Sequence, residues 1–422
     1  MEKINAIPQW KDWQKFAFRF FFLFLGFFLL NFELVSIFIT FKIYKKLALV
    51  YNPFRKPLLW MDRHFFHSGY DPAIHENLPS DNHYGLVFYC SATIVFLIIG
   101  IIWTFIDRRR PNDLKLNYWF GIYIRYLTAL IMLGYGIDKL IPTQMPYPDV
   151  TELLKPMGDQ NLFSIAWNFV GVSPGYQIFA GACEVIGSLL LVFRRTYIFG
   201  ALFMPTVLCN VIAVNVFYNI GVKLYSTLLL AGVLFLLAPH VNTLIQFFFR
   251  NRNISLAEHT FGFKTTWKRC VLLALGIFLV AGTILKNIIN DYKAYGRETS
   301  YRRNQKLYRV DWFISKDTMP PLLTDTLRWK KFALVDKHSA VIYSMRDSAA
   351  FYDFDRDSVK HIFKIHDNPD SSKWDEFHYS YLVGNQMKFT GKWKGTDVQI
   401  IMKEMPIDSM ILNKERLAFL LD

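Results

Sequence analysis

Tyr176-Gln177-Ile178-Phe179-Ala180-Gly181-Ala182-Cys183-Glu184-Val185-Ile186-Gly187-Ser188-Leu189-Leu190-Leu191-Val192-Phe193 is an 18-residue run with a single ionisable carboxyl, Glu184, at its ninth place. A helix needs about 20 mostly apolar residues to cross a bilayer's hydrocarbon core. The stretch therefore reads as a spanning helix with an acid near its centre. A charge at that depth costs roughly 2.5–3.5 kcal/mol on insertion scales and is tolerated when it faces protein, water or a partner. Glu184 is thus the first functional candidate. The competing explanation is polar packing between helices, with Gly181 and Ser188 helping them approach.

Working outward, further apolar runs lie near 16–41, 85–106, 118–141, 198–217, 224–248 and 269–288, which with 176–193 makes seven expected crossings. The first follows a charged, Trp-bearing start (Trp10, Lys11, Trp13, Lys15) without a small-residue cleavage site, so it is expected to be retained as a helix. The composition agrees: 53% of residues are apolar, 17% are aromatic and 40 are Phe. A soluble enzyme is excluded on this ground. The formal charge of +14 is carried by Lys and Arg gathered beside the apolar runs, which points to membrane orientation and away from nucleic acid. The four cysteines sit in or beside apolar runs with no CxxC, as small core residues do.

Orientation follows from the short loops. Arg108, Arg109, Arg110 and Lys115 lie in one, Arg194 and Arg195 in a second, and Arg250, Arg252, Lys264, Lys268 and Arg269 in a third, all on one side of the alternation. The positive-inside rule assigns that side to the cytoplasm, which puts the N-terminus inside and the C-terminal domain outside. Segment 42–84 is the exception, with Lys42, Lys45, Lys46, Arg55, Lys56 and Arg63 on the outer side.

After about residue 290 the pattern changes to short alternating runs. Val398, Ile400 and Met402 share one face, Phe377, Tyr379 and Tyr381 share another, and Gly384-Asn385 and Gly395-Thr396-Asp397 supply turns. The expected fold class is a mainly α polytopic bundle with a small C-terminal antiparallel β domain, whose core is expected to hold Trp312, Trp329, Trp374 and Trp393. The expected organisation is 1–117 as N-terminal spans with an amphipathic outer loop and 118–250 as a helical core. Residues 251–295 form an amphipathic segment with the last span, and 296–422 the β domain.

Counting helix rise from the basic loops places Arg125 about 10 Å, Glu184 about 15 Å and Asn210 about 18 Å into the bilayer. These three are the expected midplane polar site. Lys139, Gln144, Gln177, Asn215 and Lys223, beside Asp138 and Asn219, form an expected outer-rim set, for which snorkelling and interfacial anchoring are the ordinary explanation. His64, His67, His75 and His83 match no ligand spacing and suit an amphipathic segment on the membrane surface. Asp353, Asp355 and Asp357 lack the Gly and terminal Glu of a calcium loop and are expected in a polar hairpin turn. No metal site is expected. With no Walker loop, dinucleotide fingerprint or HExxH, no motif in the chain supports nucleotide chemistry or zinc-dependent hydrolysis.

Several phrases within 118–250 carry a family likeness. They are Tyr135-Gly136 with Asp138-Lys139-Leu140, Gln144-Met145-Pro146, Trp167 with Gly171 and Ser173, Phe179-Ala180-Gly181 leading to Glu184, Leu190 to Thr196, Gly200, Asn210, Asn215 and Val222 to Ser226. On these residues the stretch resembles the DoxX-like family of bacterial integral membrane proteins, in its longer form with extra helices and a polar tail. The resemblance implies a four-helix membrane core in the bacterial inner membrane. Asn219-Ile220-Gly221 departs from it, standing where an acidic residue and a proline before Lys223 are expected. The expected function is a non-enzymatic scaffold or binding component with a partner on its β domain. The alternatives are a quinone-linked redox component with Glu184 as proton relay, quinone entering by the resemblance alone, and a transporter of a small solute or lipid.

Overall fold

A computed structural model describes residues 9–30, 59–67, 81, 83–250, 261, 265–315, 323–366 and 374–410. The chain divides into two units, 1–144 with 175–291 and 145–174 with 292–422.

In the first unit the helices are α1 (Asp12–Leu30), α2 (His83–Ile106) and α3 (Leu114–Leu140). In the second, short helices α4 (Val150–Leu154) and α5 (Leu162–Gly171) follow. The first unit resumes with α6 (Pro174–Val192), α7 (Tyr197–Phe217), α8 (Lys223–Leu237), α9 (Val241–Arg250) and most of α10 (Thr266–Asn304). Among the described residues, six helical stretches are long and apolar enough to cross a membrane: Gly85–Ile106, Leu114–Leu140, Pro174–Val192, Tyr197–Phe217, Lys223–Arg250 and Thr266–Asn304. The seventh expected run, 16–41, is helical over α1, and its remainder lies outside the described residues.

The outward faces are as apolar as the inward ones. Ile94, Ile98, Ile101, Ile102 and Phe105 of α2 are all exposed. In water such a surface is a liability, whereas in a bilayer it is what lipid chains require. The protein is a multi-pass membrane protein in contact with the lipid bilayer. Between α1, α2, α3 and α8 a dense aromatic and aliphatic core forms around Phe18, Phe28, Phe88, Phe120, Ile124 and Leu229. Arg19 is fully buried beside it, held by Asp113 Oδ2, Asp107 Oδ2 and the Trp103 carbonyl, each at 3.0 Å.

In the second unit eight consecutive antiparallel strands close into a barrel: β1 (Lys306–Ser315), β2 (Trp329–Leu334), β3 (Ser339–Ser344), β4 (Ala349–Asp357), β5 (Ile362–His366), β6 (Asp375–Leu382), β7 (Gln386–Trp393) and β8 (Thr396–Met405). Closure comes from pairing β1 with β8, Leu307 opposite Met405 through Ser315 opposite Val398. An eight-stranded barrel is just wide enough for side chains to fill it. Phe332, Phe363, Phe377, Phe389, Ile400 and Met402 do so. Lys394 and Gly395 take positive φ in the two-residue β7–β8 turn, as a primed hairpin turn demands.

Two details correct the expected core. Trp329 and Trp393 are buried, but Trp312 is 66% and Trp374 45% exposed. The β1–β8 register shifts between Val310 and Trp312, so Asp311 is an extra residue that turns Trp312 outward and Phe313 inward. Trp374 lies just before β6 against the His366 ring. Asp353 and Asp355 lie within β4 and not in a turn, while Asp357 ends the strand and accepts from the Val359 and Lys360 N–H groups at 2.9 Å.

Segment 145–174 belongs with the barrel, although its sequence was assigned to the helical core. Asp149 caps α4 by accepting from the Thr151 and Glu152 N–H groups, and Val150 packs with Leu307, Ala333, Val341 and Tyr343 on the outer face of β1 to β3. The Arg302 guanidinium stands 4.2 Å over the Tyr147 ring. Truncating Phe389 to Ala at the barrel centre is expected to cost about 3–5 kcal/mol. Amide hydrogen exchange in β6 to β8 should rise accordingly, and unchanged exchange would remove Phe389 from the centre of the core.

Candidate functional site

Helices α3 and α6 touch backbone to backbone at Gly136 and Gly181. A Cβ at Gly181 would fall 2.6 Å from the Gly136 carbonyl oxygen, and one at Gly136 would fall 2.7 Å from Val185 Cγ2. Only a residue without a side chain permits this approach. One turn from the contact, Lys139 Nζ donates to both Glu184 oxygens at 2.8 Å. Glu184 is 2% and Lys139 8% exposed. Ser188 Oγ donates to the Glu184 carbonyl at 2.7 Å, and Gln177 is fully buried on the same helix.

Glu184 therefore takes its cation from the expected rim set and not from Arg125. Gly136 is level with Gly181 and Val185, and Arg125 lies eleven residues earlier on α3, about 16 Å along its axis at 1.5 Å per residue. The depth count assumed that α3 and α6 end at one level; the glycine contact offsets them. Asn210 is exposed on α7, so the midplane trio is not assembled. Of the other rim residues, Asn215 Nδ2 donates to Ser226 Oγ at 3.1 Å, Lys223 Nζ donates to Asn219 Oδ1 at 3.0 Å, and Gln144 has a buried Oε1 without a partner.

A carboxylate from a distant part of the chain meets the Lys223 backbone. Asp81 accepts from the backbone N–H of Lys223 through Oδ2 and from that of Leu224 at 3.1 Å through Oδ1, capping the start of α8. Sequence reasoning also missed Arg19. Its signal was a lone Arg within a Phe-rich run, with Asp107 and Asp113 bracketing the basic loop. In the histidine segment, His64 stacks on Trp60 with its Nδ1 2.7 Å from the Trp60 carbonyl oxygen. His75 and the His83 side chain lie outside the described residues.

A second candidate occupies one end of the barrel. A cavity of about 360 Å³ is lined by Asp325, Arg328, Trp329, Tyr352, Trp393 and Lys394, among others. Trp329 and Trp393 meet edge to face with ring centroids 5.1 Å apart, and both indole Nε1–H donors are buried without an acceptor among the described residues. Buried indole donors ordinarily find a partner. Asp325 is partly buried, which by itself raises its pKa. Hydrogen bonds from the Arg328 and Leu327 N–H groups and from the Arg328 guanidinium outweigh this and hold it below the ordinary value of 3.8.

The uncharacterized protein YwoB of Bacillus subtilis (strain 168) is 32% identical to this chain over 113 residues, 27% of this chain and 71% of that protein. The chain belongs to the family of the uncharacterized protein YwoB. No protein-family profile and no solved structure matches it. Membership in the YwoB family brings no activity with it, so function rests on the geometry of the two sites.

Breaking a buried ion pair by removing one partner costs about 3–5 kcal/mol, because the other charge is left uncompensated. Glu184→Gln and Lys139→Met are each expected to lower the thermal unfolding temperature in detergent, while the double variant Lys139→Met, Glu184→Leu recovers most of the loss. Additive losses in that cycle would show the two side chains to be energetically independent. A pH dependence is expected at the barrel end. The Asp325 carboxyl binds a proton more weakly folded than unfolded, so its stabilising effect is complete above the ordinary carboxylate range and lost as pH falls below 3.8 through the lowered value. Protection factors at Leu327 and Arg328, which are corrected for the intrinsic pH dependence of amide exchange, should fall in that acid window in the wild type and be already low, and flat with pH, in Asp325→Asn.

Proposed function

We propose that the chain is a membrane-anchored binding component without catalytic activity of its own. Its helical unit serves as a DoxX-like scaffold in the bacterial inner membrane, and its barrel binds a partner on the extracytoplasmic side. The observation that carries this reading is the pair of unpartnered indole donors, Trp329 and Trp393, on the barrel-end cavity. Two rigid donors, with Arg328, Arg346 and Lys394 at the same cavity against the single carboxylate of Asp325, favour an extended acceptor-rich segment bearing a carboxylate. The basic loops at 108–115, 194–195 and 250–269 support the sidedness.

The helical unit supports the scaffold half of the reading. Both Glu184 oxygens are engaged by Lys139, which locks α3 to α6 and leaves neither oxygen of this carboxylate unpaired. The quinone-linked alternative is the weaker reading for that reason.

A photo-crosslinking residue at Ala350, an exposed position on the cavity, is expected to give a discrete adduct when the full chain is irradiated in its native membrane. Trp329→Phe and Trp393→Phe keep the rings and delete the donors; together they should reduce the adduct several-fold, each lost hydrogen bond being worth about 0.5–1.5 kcal/mol. An adduct of unchanged yield in the double variant, or none in the wild type, would refute the reading.

A further inference from the structure

We infer that a second cavity, within the helical unit around Arg125, is a binding site for a phosphate group. The cavity measures about 380 Å³, and its polar lining is Asn117, Arg125, Arg194, Tyr197, His240 and Thr243. No carboxylate lines it, so two guanidinium groups set its charge. Ile122, Phe235 and Leu236 complete the wall, giving the cavity an apolar side as well.

Arg125 is the reason to expect an anion. It sits well inside α3, and among the described residues no carboxylate pairs with it. Its Nε is buried without a hydrogen-bond acceptor, while its guanidinium stands 5.3 Å from the ring centroids of both Tyr126 and Tyr197. Those rings hold the plane of the fork without satisfying its donors. Across the cavity the Tyr197 hydroxyl lies 3.0 Å from His240 Nε2, so a second polar edge is fixed as well. A planar guanidinium with an unmet Nε–H, beside a second Arg, matches the tetrahedral oxygens of phosphate, which accept such bonds in pairs.

Position along the helices favours a phosphate on an amphiphile. The lining comes from the start of α3, the α6–α7 turn and the end of α8, all at the end of the bundle that carries the basic loops. Immediately after Pro239 and His240, helix α9 exposes Val241, Ile245, Phe248 and Phe249 at helical spacing, while Leu244 packs against the core. An amphipathic helix of that kind lies in the interface, at the level of lipid headgroups. Basic pockets between spanning helices at that level take anionic headgroups.

The test uses the purified full chain in nanodiscs of phosphatidylcholine containing a minor fraction of phosphatidylglycerol, with retained lipid counted by native mass spectrometry. The wild type is expected to retain phosphatidylglycerol in preference to phosphatidylcholine. Arg125→Gln should reduce that retention about tenfold, and Arg125→Lys, which keeps the charge but not the fork, by less. Should Arg125→Gln fail to fold, Arg194→Gln on the exposed α6–α7 turn supplies the same readout. Competition by inorganic phosphate assigns the site to free phosphate, and retention that phosphate does not compete assigns it to the lipid headgroup; either outcome supports the inference. Equal retention by wild type and variants, with no phosphate bound, would overturn it.

Discussion

A charged side chain within a lipid-facing bundle has no water to fall back on, and the helical unit is organised by how such charges find partners inside the chain. Lys139 and Glu184 form the central case. Their two 2.8 Å contacts lie one turn from the Gly136–Gly181 approach, so the ion pair and the backbone contact fix the same offset between α3 and α6. Sliding one helix past the other by a single turn, about 5.4 Å, would leave both charges unpaired and press a side chain into a glycine gap. Arg19 applies the same rule at the basic end, tying α1 to Asp107 and Asp113. Asp81 does so at the opposite end of α8, where its carboxylate meets backbone N–H groups that no preceding residue caps.

A buried ion pair is weak evidence for stability in water, because desolvation can exceed the Coulombic gain. In a bundle already inserted in lipid the comparison changes, since separating the partners still leaves each in a medium of low dielectric. The pair then acts more as a register device than as a source of net stability, consistent with its position beside small residues that set the approach. Arg125 stands out against this pattern. Two ring contacts position its guanidinium, and its buried Nε has no acceptor among the described residues, on a cavity without carboxylates.

Much of the helical unit was legible because a spanning run needs only length and apolar character, which read directly from residues such as those at 85–106 and 198–217. Glu184 stood out for the same reason. Its partner did not, because the levels at which α3 and α6 begin are decided by the Gly136–Gly181 contact, a tertiary fact with no local signal in either helix. In the barrel, alternation correctly grouped Val398, Ile400 and Met402, all buried. It misplaced Trp312 because a one-residue bulge at Asp311 inverts every face beyond it. Closure was invisible for another reason: it depends on β1 meeting β8 across about ninety residues, which no window of sequence reports. Segment 145–174 escaped assignment to the barrel because its apolar anchor, Val150, belongs to a five-residue helix too short to show periodicity.

Both units leave some buried polar atoms unmet among the described residues, and those that line a cavity bear on function. In the helical unit the deep carboxylate of Glu184 is closed off by Lys139, and the carboxylate of Asp113 holds Arg19. The barrel pairs its strands all the way round, with register shifts between β1 and β8 and between β2 and β3, yet leaves two indole donors unmet among the described residues at one end. Adjacent indoles orphaned on a cavity place their donors where a ligand can reach, since filling the core there with Phe would have avoided the penalty. The paired indoles and Arg125 Nε, unmet donors of the two units, thus lie on cavities and apart from the ion pairs that hold the helices together.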